Sequence, residues 1–424
     1  MKKTQRIIGA LVGNLMQFYD FTIYAFLTEK ISKNFFPAIS TPMVYLSAIC
    51  VFATGYLTRP IGALLFGHIG DKYGRSKALS YTIVLSTAAT FLIGILPTFN
   101  MIGYFSTVFL ILLRLLQGLA VSGEEGGAVV LLFEHNRFKN TGLIGSLVLS
   151  SVLLGVVLGS LICFFSSNIH ANIGVNAWAW RLPFLFSLPL GIMAIRLRYS
   201  VNDFDAFSHA KKNMILHRTP TKILIQNYFP EILSGISIAS LYSITTSTVI
   251  VNIPYVLGQI GLQKNSVFFI ITLTLSLITI ISPIIGEFLD RFCKNTPKID
   301  FIFLSSIAAP PIAFYLLSTG MIAQIIIALI LLAIIISLIS STVFDLIVST
   351  FPYGVRYSGV SLSFNISITI FSSTTPIMLT LLENKQTNLA LCGAYLSLIA
   401  AVMLLLYKLS QRYTNQLEVA YEKL

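Results

Sequence analysis

The sequence contains few charged residues. Asp, Glu, Lys and Arg make up only 10% of its 424 positions, whereas 55% are hydrophobic and the mean hydropathy is +0.84. Soluble domains carry about 25% charged residues, so this chain has too few to cover a surface that faces water. The scarcity of charge therefore excludes an ordinary soluble globular protein.

Cysteine and histidine are also scarce. The four cysteines lie far apart and the five histidines are scattered, so neither a disulfide framework nor a metal site is expected. No G-x-x-x-x-G-K-[ST] loop is present to hold nucleotide phosphates, so the sequence predicts no ATP-driven step and no cofactor. The first apolar run carries Asp20 and leads to no small-residue cleavage site, which argues against a cleavable signal peptide.

Apolar runs recur along the whole chain. A spanning helix needs about 20 mostly apolar residues, because its backbone groups must be satisfied without water. The runs predict an all-α membrane protein with twelve transmembrane helices, in contact with the lipid bilayer. Their predicted bounds, read from runs and breaks, are about 7–29, 44–66, 78–97, 105–132, 142–166, 181–198, 228–256, 265–288, 300–318, 321–345, 358–382 and 389–408.

A polar segment divides these helices into two halves of six. The predicted domains are an N-terminal six-helix bundle over 1–198, a cytoplasmic central loop over 199–227, and a C-terminal six-helix bundle with a short tail over 228–424. Each half has glycine, aspartate and a basic residue where its second helix ends: Gly67, Asp71 and Arg75, then Gly286, Asp290 and Arg291. Internal duplication of this kind is typical of alternating-access transporters, which bind substrate between their halves.

Lysine and arginine are distributed unequally between the two predicted sides. Of 28 such residues, 21 fall on the side that holds the N-terminus, 5 on the opposite side, and Arg59 and Arg114 within helices. Cytoplasmic loops carry an excess of basic residues, so both termini are predicted to be cytoplasmic in a bacterial inner membrane. This asymmetry explains the net charge of +12 without a nucleic-acid partner.

Several motifs resemble those of the major facilitator superfamily. Residues 67–79 resemble its loop pattern G-x-x-x-D-x-x-G-R-[RK]-x-x, and Leu110-x-x-x-Arg114-x-x-Gln117-Gly118 resembles its helix 4 motif. Other segments resemble the metabolite–proton symporter branch, which includes proline/betaine, 2-oxoglutarate, citrate and shikimate carriers. These segments are Gly13-Asn14…Phe18-Tyr-Asp20-Phe21…Tyr24, Phe35-Phe-Pro37, Arg59-Pro60-Ile-Gly62, Gly118…Ser122-Gly123-Glu124 and Trp180-Arg181-Leu-Pro183-Phe184.

The end of the chain most resembles proline/betaine carriers, at Phe351-Pro…Arg356-Tyr-Ser and Phe364-Asn365-Ile-Ser367. The resemblance implies the major facilitator fold and no enzymatic activity. It implies a symporter that uses the proton gradient to import a small carboxylate-bearing solute resembling proline or betaine. The alternative within the class is a carrier of dicarboxylates or other organic acids. A channel would need rings of like polar groups, and a sensor a soluble domain; the sequence shows neither.

Ionisable residues inside the predicted helices are candidates for proton coupling, because each is costly in a bilayer. On helix 1 the polar residues Asn14, Gln17, Asp20, Tyr24 and Thr28 share one face, which lines a cavity or bonds a neighbouring helix. On helix 4 one face holds Arg114, Gln117, Glu124 and Glu125. The proton-coupling candidates are Asp20, Glu124 and Arg114, with Asp20 a plausible partner of Arg114; permanent ion pairs are the alternative.

The remaining candidates bind substrate or form a cytoplasmic gate. Arginine suits a substrate carboxylate, although Arg181 beside two tryptophans also suits an interfacial anchor. The substrate-binding candidates are Asn14, Gln17, Tyr24, Arg59, Gln117, Arg181 and Asn365. In the family the aspartate of the helix 2 loop meets the N-terminus of helix 11, so a gate is implied, a solvated topology signal being the alternative. The gate candidates are Gly67, Asp71, Gly74, Arg75, Glu134, Arg137, Asp290 and Arg356.

Overall fold

The computed structural model describes residues 3–37, 50–51, 53–135, 139–173, 178–199, 217–292, 298–383 and 389–422. Within these ranges the secondary structure is helical and contains no strand. An α-helix satisfies its backbone hydrogen bonds internally, which is what an apolar chain requires in lipid. The prediction of an all-α membrane protein is therefore confirmed for the described chain.

Six helices occupy the positions of predicted helices 1 to 6. They are α1 Lys3–Phe26, α2 Arg59–Tyr73, α3 Arg75–Ile95, α4 Tyr104–His135, α5 Thr141–Ile173 and α6 Leu182–Tyr199. A short helix, Thr28–Phe35, follows α1. The turn between α2 and α3 is a single residue, Gly74, whose φ of 119° is a conformation that residues with a side chain rarely adopt. This glycine lets one helix begin where the other ends.

Six more helices occupy the positions of predicted helices 7 to 12. They are α7 Phe229–Ser247, α8 Lys264–Phe292, α9 Lys298–Ser318, α10 Ile322–Thr350, α11 Arg356–Ser367 and α12 Leu389–Glu422. Two of them continue past a π-helical turn: α7 through Thr248–Asn252 into Ile253–Gln259, and α11 through Ile368–Ser372 into Ser373–Glu383. Helix α12 ends well beyond the predicted position near 408, because its polar second half can remain helical outside the bilayer.

Ten helices of the described chain are long and apolar enough to cross a membrane. The remaining two predicted spans correspond to α1 and α2. Part of predicted helix 2 lies outside the described residues, and its described part, α2, continues to Tyr73 rather than ending near residue 66. The apolar runs thus identified every described helix of membrane-spanning length, with ends that differ by up to several residues.

The chain forms two compact units. The first comprises Met1–Leu132 and Ser151–Arg218, and the second comprises Phe133–Ser150 and Thr219–Leu424. Residues 133–150 therefore belong to the second unit, whereas the predicted division placed them in the N-terminal bundle. Residues 200–216 of the predicted central loop lie outside the described residues, and its cytoplasmic location stays a prediction.

Close helix packing in the first unit positions the polar residues described below. Helix α3 packs against α6, and α1 packs against both. Residues 53–57 form a helical segment before α2. Gly118 of α4 packs so closely on this segment that a Cβ on Gly118 would overlap the carbonyl oxygen of Gly55. Near the start of α6, the Tyr19 hydroxyl of α1 donates to the carbonyl oxygen of Pro183 at 2.6 Å. These contacts bring polar faces of four helices into one interior.

Candidate functional site

The polar face of α1 points into the interior of the first unit. Asn14, Gln17, Asp20 and Tyr24 are each no more than 1% exposed. Asn14 donates from Nδ2 to the Ser151 hydroxyl of α5 at 2.9 Å. Among the described residues, neither amide atom of the buried Gln17 has a hydrogen-bond partner. The predicted orientation of this face is confirmed, and Gln17 has hydrogen-bonding capacity left for a ligand.

Asp20 lies against α3 rather than against Arg114. Its Oδ2 accepts a hydrogen bond from the Ser86 hydroxyl at 2.8 Å, and its Oδ1 has no hydrogen-bond partner among the described residues. No described cation pairs with it. Arg114 instead donates from Nη1 to Gln117 Oε1 at 2.8 Å. The suggestion that these two residues form an ion pair is therefore wrong, because Asp20 bonds Ser86 and Arg114 bonds Gln117 instead.

Hydroxyl residues of α3 join the polar faces of α1 and α4. Thr82, Ser86 and Thr90 are spaced by four, so they share one side of α3, and all are no more than 1% exposed. Thr82 donates to Glu124 Oε2 at 2.6 Å, and Thr90 accepts from Gln117 Nε2 at 2.7 Å. Sequence reasoning missed this row, although hydroxyls repeating every four residues in an apolar helix could have indicated it.

Glu124 forms a buried ion pair with Arg198, near the C-terminal end of α6. Both side chains are 0% exposed. Sequence reasoning had counted Arg198 only as one of the cations on the cytoplasmic side. An arginine directly after an apolar helix resembles a topology signal, and nothing in the sequence shows that its side chain turns inward. Glu125, next along α4, is also buried, at 2% exposure.

Two arginines share one aromatic ring in the first unit. The guanidinium carbon of Arg59 lies 4.7 Å from the ring centroids of Phe21 and Tyr56. That of Arg114 lies 4.7 Å from the Phe21 centroid and 4.3 Å from that of Tyr24. Both guanidinium groups are buried, and two neighbouring buried cations attract an anion. The arrangement suits a ligand carboxylate, which the planar forks of arginine bind well.

Arg181 directly precedes α6, and its side chain contacts the C-terminal end of α3. Its Nη1 donates to the carbonyl oxygens of Gly94 at 2.7 Å and Leu96 at 2.8 Å. Its guanidinium carbon also lies 4.6 Å from the Trp180 ring centroid. The last carbonyls of a helix lack intrahelical donors, and a cation there is favourable. These bonds make Arg181 an anchor between α3 and the start of α6.

The gate candidates of the first unit form a local ion pair. Asp71, near the end of α2, lies 3.3 Å from Arg75 of α3, and both are buried. Arg75 also donates to the Gly70 carbonyl oxygen at 3.0 Å. Of the motif glycines, Gly67 precedes Asp71 in α2, and Gly74 lies between Asp71 and Arg75 in the chain. The predicted approach of Asp71 to helix 11 stays a prediction, and Arg137 lies outside the described residues.

The gate candidates of the second unit contact the end of α4 and the start of α5. The carboxylate of Asp290, near the end of α8, accepts from the amide nitrogens of Gly142 and Leu143 at 2.9 Å each. Glu134 pairs with Arg356 at 3.2 Å. Asp290 thus satisfies two of the donors that the first turn of α5 leaves without intrahelical partners. This is the kind of contact that the family resemblance implied for Asp71.

Asp345 and Asn365 are two further polar residues of the second unit. Asp345 of α10 accepts from the Thr141 hydroxyl at 3.0 Å, so it adds a second carboxylate at the start of α5 that sequence reasoning missed. Asn365 is 2% exposed and donates from Nδ2 to the Ser361 carbonyl oxygen at 2.8 Å, within its own helix. Its side-chain oxygen stays a candidate for substrate.

Comparison with known proteins identifies the fold. Residues 6–214 match the family model described as "Sugar (and other) transporter". The solved structure of the proton:xylose symporter XylE superposes with a TM-score of 0.69 at 15% identity, covering 95% of this chain and 94% of that one. The human organic anion transporter MFSD10 superposes with a TM-score of 0.65 at 11% identity, covering 96% and 100%. At these identities the likeness establishes the fold alone.

Relatives with higher identity extend over nearly the whole chain. The proline/betaine transporter of Escherichia coli (strain K12) is 30% identical over 420 residues, covering 95% of this chain and 82% of the relative. The glycine betaine/proline/ectoine/pipecolic acid transporter OusA of Dickeya dadantii (strain 3937) is 30% identical over 413 residues, covering 94% and 81%. The membrane-spanning helices and these relatives define a multi-pass membrane transporter of the major facilitator superfamily. Within it, the chain belongs to the family of proline/betaine transporters.

Proposed function

We propose that this protein is a secondary active symporter that imports a small zwitterion, proline or betaine, together with protons by alternating access. The similarity to transporters of proline, betaine and ectoine supports the substrate class. The observation that carries the proposal is the buried polar face of α1, where Gln17 and Asp20 retain hydrogen-bonding atoms that have no partner in the part of the chain that the structure describes. A transported solute and a proton would use these atoms.

Asp20 is proposed as the residue that carries the proton. A buried carboxylate with no cation beside it is costly when ionised, and binding a proton removes that cost. The Ser86 hydroxyl can donate to the ionised carboxylate and accept from the protonated one, so it serves both states. Glu124 differs because Arg198 already compensates its charge. The gradient then drives transport by loading Asp20 from outside and unloading it inside.

Arg59 and Arg114 are proposed to bind the carboxylate of the substrate. Their guanidinium carbons each lie 4.7 Å from the Phe21 ring centroid, so two cations surround one ring and make this region attractive to an anionic group. Gln117 holds Arg114 in place, and Gln17 offers its free amide from α1. The same pair of cations favours a second candidate function, transport of a dicarboxylate, since each guanidinium could bind one carboxylate.

The proposed location is the bacterial inner membrane, with both termini and residues 199–227 in the cytoplasm. The excess of lysine and arginine on one side of the predicted topology supports this orientation. On that side, the Asp71–Arg75 pair and the Asp290 contact with α5 are proposed to stabilise the closed cytoplasmic gate. Reporter fusions at either terminus would test the orientation, and a terminus accessible from outside would contradict it.

Uptake into proteoliposomes tests the proposal directly. The purified protein is reconstituted without ATP, and uptake of radiolabelled proline, betaine, 2-oxoglutarate and citrate is measured with and without an imposed pH gradient. We expect accumulation of proline or betaine that requires the gradient and stops when a protonophore collapses it. Accumulation of only the dicarboxylates would favour the second candidate, and transport unaffected by the gradient would reject proton coupling.

A further inference from the structure

Arg198 serves a single anionic group in the described chain. Its Nη2 donates to Glu124 Oε1, while its Nε and Nη1 have no hydrogen-bond partner among the described residues. The guanidinium is 0% exposed, so water does not screen this pair. An arginine remains protonated under all ordinary conditions. Its charge is therefore a permanent feature of the site, and Glu124 is the group that it compensates.

Three helices besides α4 enclose the Glu124 carboxylate. From α6 comes Arg198, from α3 the Thr82 hydroxyl, which donates to Oε2 at 2.6 Å, and from α1 Gly13. A Cβ on Gly13 would overlap both Arg198 Nη2 and Glu124 Oε1, so α1 lies directly on the pair. Both carboxylate oxygens thus accept from donors, and no room is left on the α1 side for a further group.

Asp20 and Glu124, two of the buried carboxylates of the first unit, therefore differ in kind. The charged group that faces Glu124 is Arg198. Thr82 and Gly13, which also contact it, carry no charge, and Glu125 is the adjacent carboxylate on α4 itself. Asp20 has the Ser86 hydroxyl and no described cation. A charge-assisted bond and a hydroxyl stabilise an ionised carboxylate, because each is a donor. Burial makes the loss of a proton costly for either carboxylate, and only at Glu124 does a neighbouring cation of the described chain offset that cost.

We propose that Arg198 is a positioning residue of the coupling site, which keeps Glu124 ionised and so leaves Asp20 as the carboxylate that exchanges the proton. This inference rests on the proposed function. It assigns a role to an arginine outside the carboxylate-binding pair, and it explains why two buried carboxylates need not mean two transported protons. Without Arg198, the buried Glu124 would bind a proton in place of its lost cation.

Substrate exchange in an Asp20→Asn background tests this role. Exchange of radiolabelled proline across proteoliposomes needs no net proton movement, and Asp20→Asn removes the proposed carrier. We expect its exchange rate to change less than about twofold between roughly pH 5.5 and 8.5, since no carboxylate there titrates. Adding Arg198→Gln should make the exchange rate fall at least fivefold as the pH rises across that range. Adding Glu124→Gln as a third change should abolish this pH dependence.

Conservative and distant substitutions separate charge from structure. Arg198→Lys keeps a cation and should leave exchange in the Asp20→Asn background independent of pH. Arg196→Gln removes an exposed arginine of the same helix and should do the same. A pH dependence in Asp20→Asn alone that disappears on adding Glu124→Gln would overturn the proposal, because Glu124 would then titrate with Arg198 present. An active Asp20→Asn/Arg198→Gln protein without pH dependence would also overturn it.

Infrared spectroscopy tests the same point without substrate or a mutant of Arg198. Difference spectra of the purified wild-type protein are recorded between acidic and alkaline pH, in the region of the protonated carboxyl C=O stretch. We expect a titrating band that Asp20→Asn removes and Glu124→Gln leaves in place. A titrating band removed by Glu124→Gln would contradict the role of Arg198. If proline is not the substrate, uptake fails but this measurement still decides the inference.

Discussion

Gly13 is the residue on which the buried ion pair of the first unit depends most directly. An alanine there would place its Cβ against the ends of Arg198 and Glu124, which are fully buried and have no space to retreat. We expect Gly13→Ala to destabilise the protein by about 1–3 kcal/mol, as overpacking usually does. Thermal unfolding in detergent measures this. Gly258→Ala is the matched control, since a Cβ at Gly258 meets nothing within 4 Å.

Arg181 and Arg59 offer a second contrast between single residues. Arg181 bonds two carbonyls at the end of α3, so Arg181→Gln should lower the yield and thermal stability of the folded protein. Buried charged hydrogen bonds of this kind contribute about 1.5–3 kcal/mol each. The protein that does fold should keep its KM for proline within about twofold, whereas Arg59→Gln should raise KM more than tenfold. A raised KM in folded Arg181→Gln would instead indicate that Arg181 binds the substrate.

The sequence could reveal which residues are polar and buried, but not which of them meet. Asp20, Gln17 and Glu124 were identified because a polar group in an apolar helix is conspicuous. Arg198 was missed because a cation after a helix also marks the membrane boundary. The direction of its side chain depends on the space that Gly13 leaves between α1 and α6. Such pairings arise from tertiary packing, which periodicity along one chain does not contain.

At the scale of elements, α5 depends on a carboxylate from another helix. In its first turn, the amides of Gly142 and Leu143 donate to the carboxylate of Asp290 of α8. Asp290→Asn should lower stability by about 0.5–2 kcal/mol, because it weakens both a cap and a charge–dipole contact. Hydrogen exchange at Gly142 and Leu143 should become faster.

Asp300→Asn is the matched control for this cap. Asp300 also lies near a helix end, but its side chain is 58% exposed and 3.7 Å from Lys408, an arrangement that contributes little to stability. Its substitution should leave exchange at α5 unchanged. Unaltered exchange of the Gly142 and Leu143 amides in Asp290→Asn would show that the helix end is stabilised by other groups.

Interrupted helices illustrate a limit of prediction from periodicity. Helices α7 and α11 were predicted as continuous spans, yet each contains a π-helical turn shortly before a proline, Pro254 or Pro376. Proline removes a backbone donor and frees a carbonyl one turn earlier. The carbonyl oxygen of Ser372 accepts from the Ser247 hydroxyl of α7 at 3.1 Å. The prolines were visible in the sequence, but the partner that satisfies the freed carbonyl was not.

At the scale of the whole molecule, the proposed alternation between two states would set the rate of transport. Twelve helices followed from the apolar runs because bilayer thickness fixes helix length, whereas the gate depends on ion pairs whose partners lie far apart in sequence. Among the proposed gate contacts of the described chain, the Asp71–Arg75 pair is the exception, because the motif itself places these two residues four apart. This pair joins two of the predicted gate residues, and its part in a gate stays a proposal.

Asp71→Asn should shift the protein toward its inward-facing state. The substitution removes the charge that compensates the buried Arg75. The contact predicted for Asp71, an anion at the N-terminus of helix 11, contributes about 0.3–2 kcal/mol. A bias of about 1.4 kcal/mol changes the ratio of two states tenfold. The KM for proline should change little, turnover should slow, and a cysteine reporter placed in the cytoplasmic cavity, in a background without other cysteines, should react faster with a thiol reagent added from inside. Asp300→Asn should leave all three unchanged. Wild-type turnover together with unchanged labelling in Asp71→Asn would leave Asp71 as a marker of membrane topology without a part in the gate.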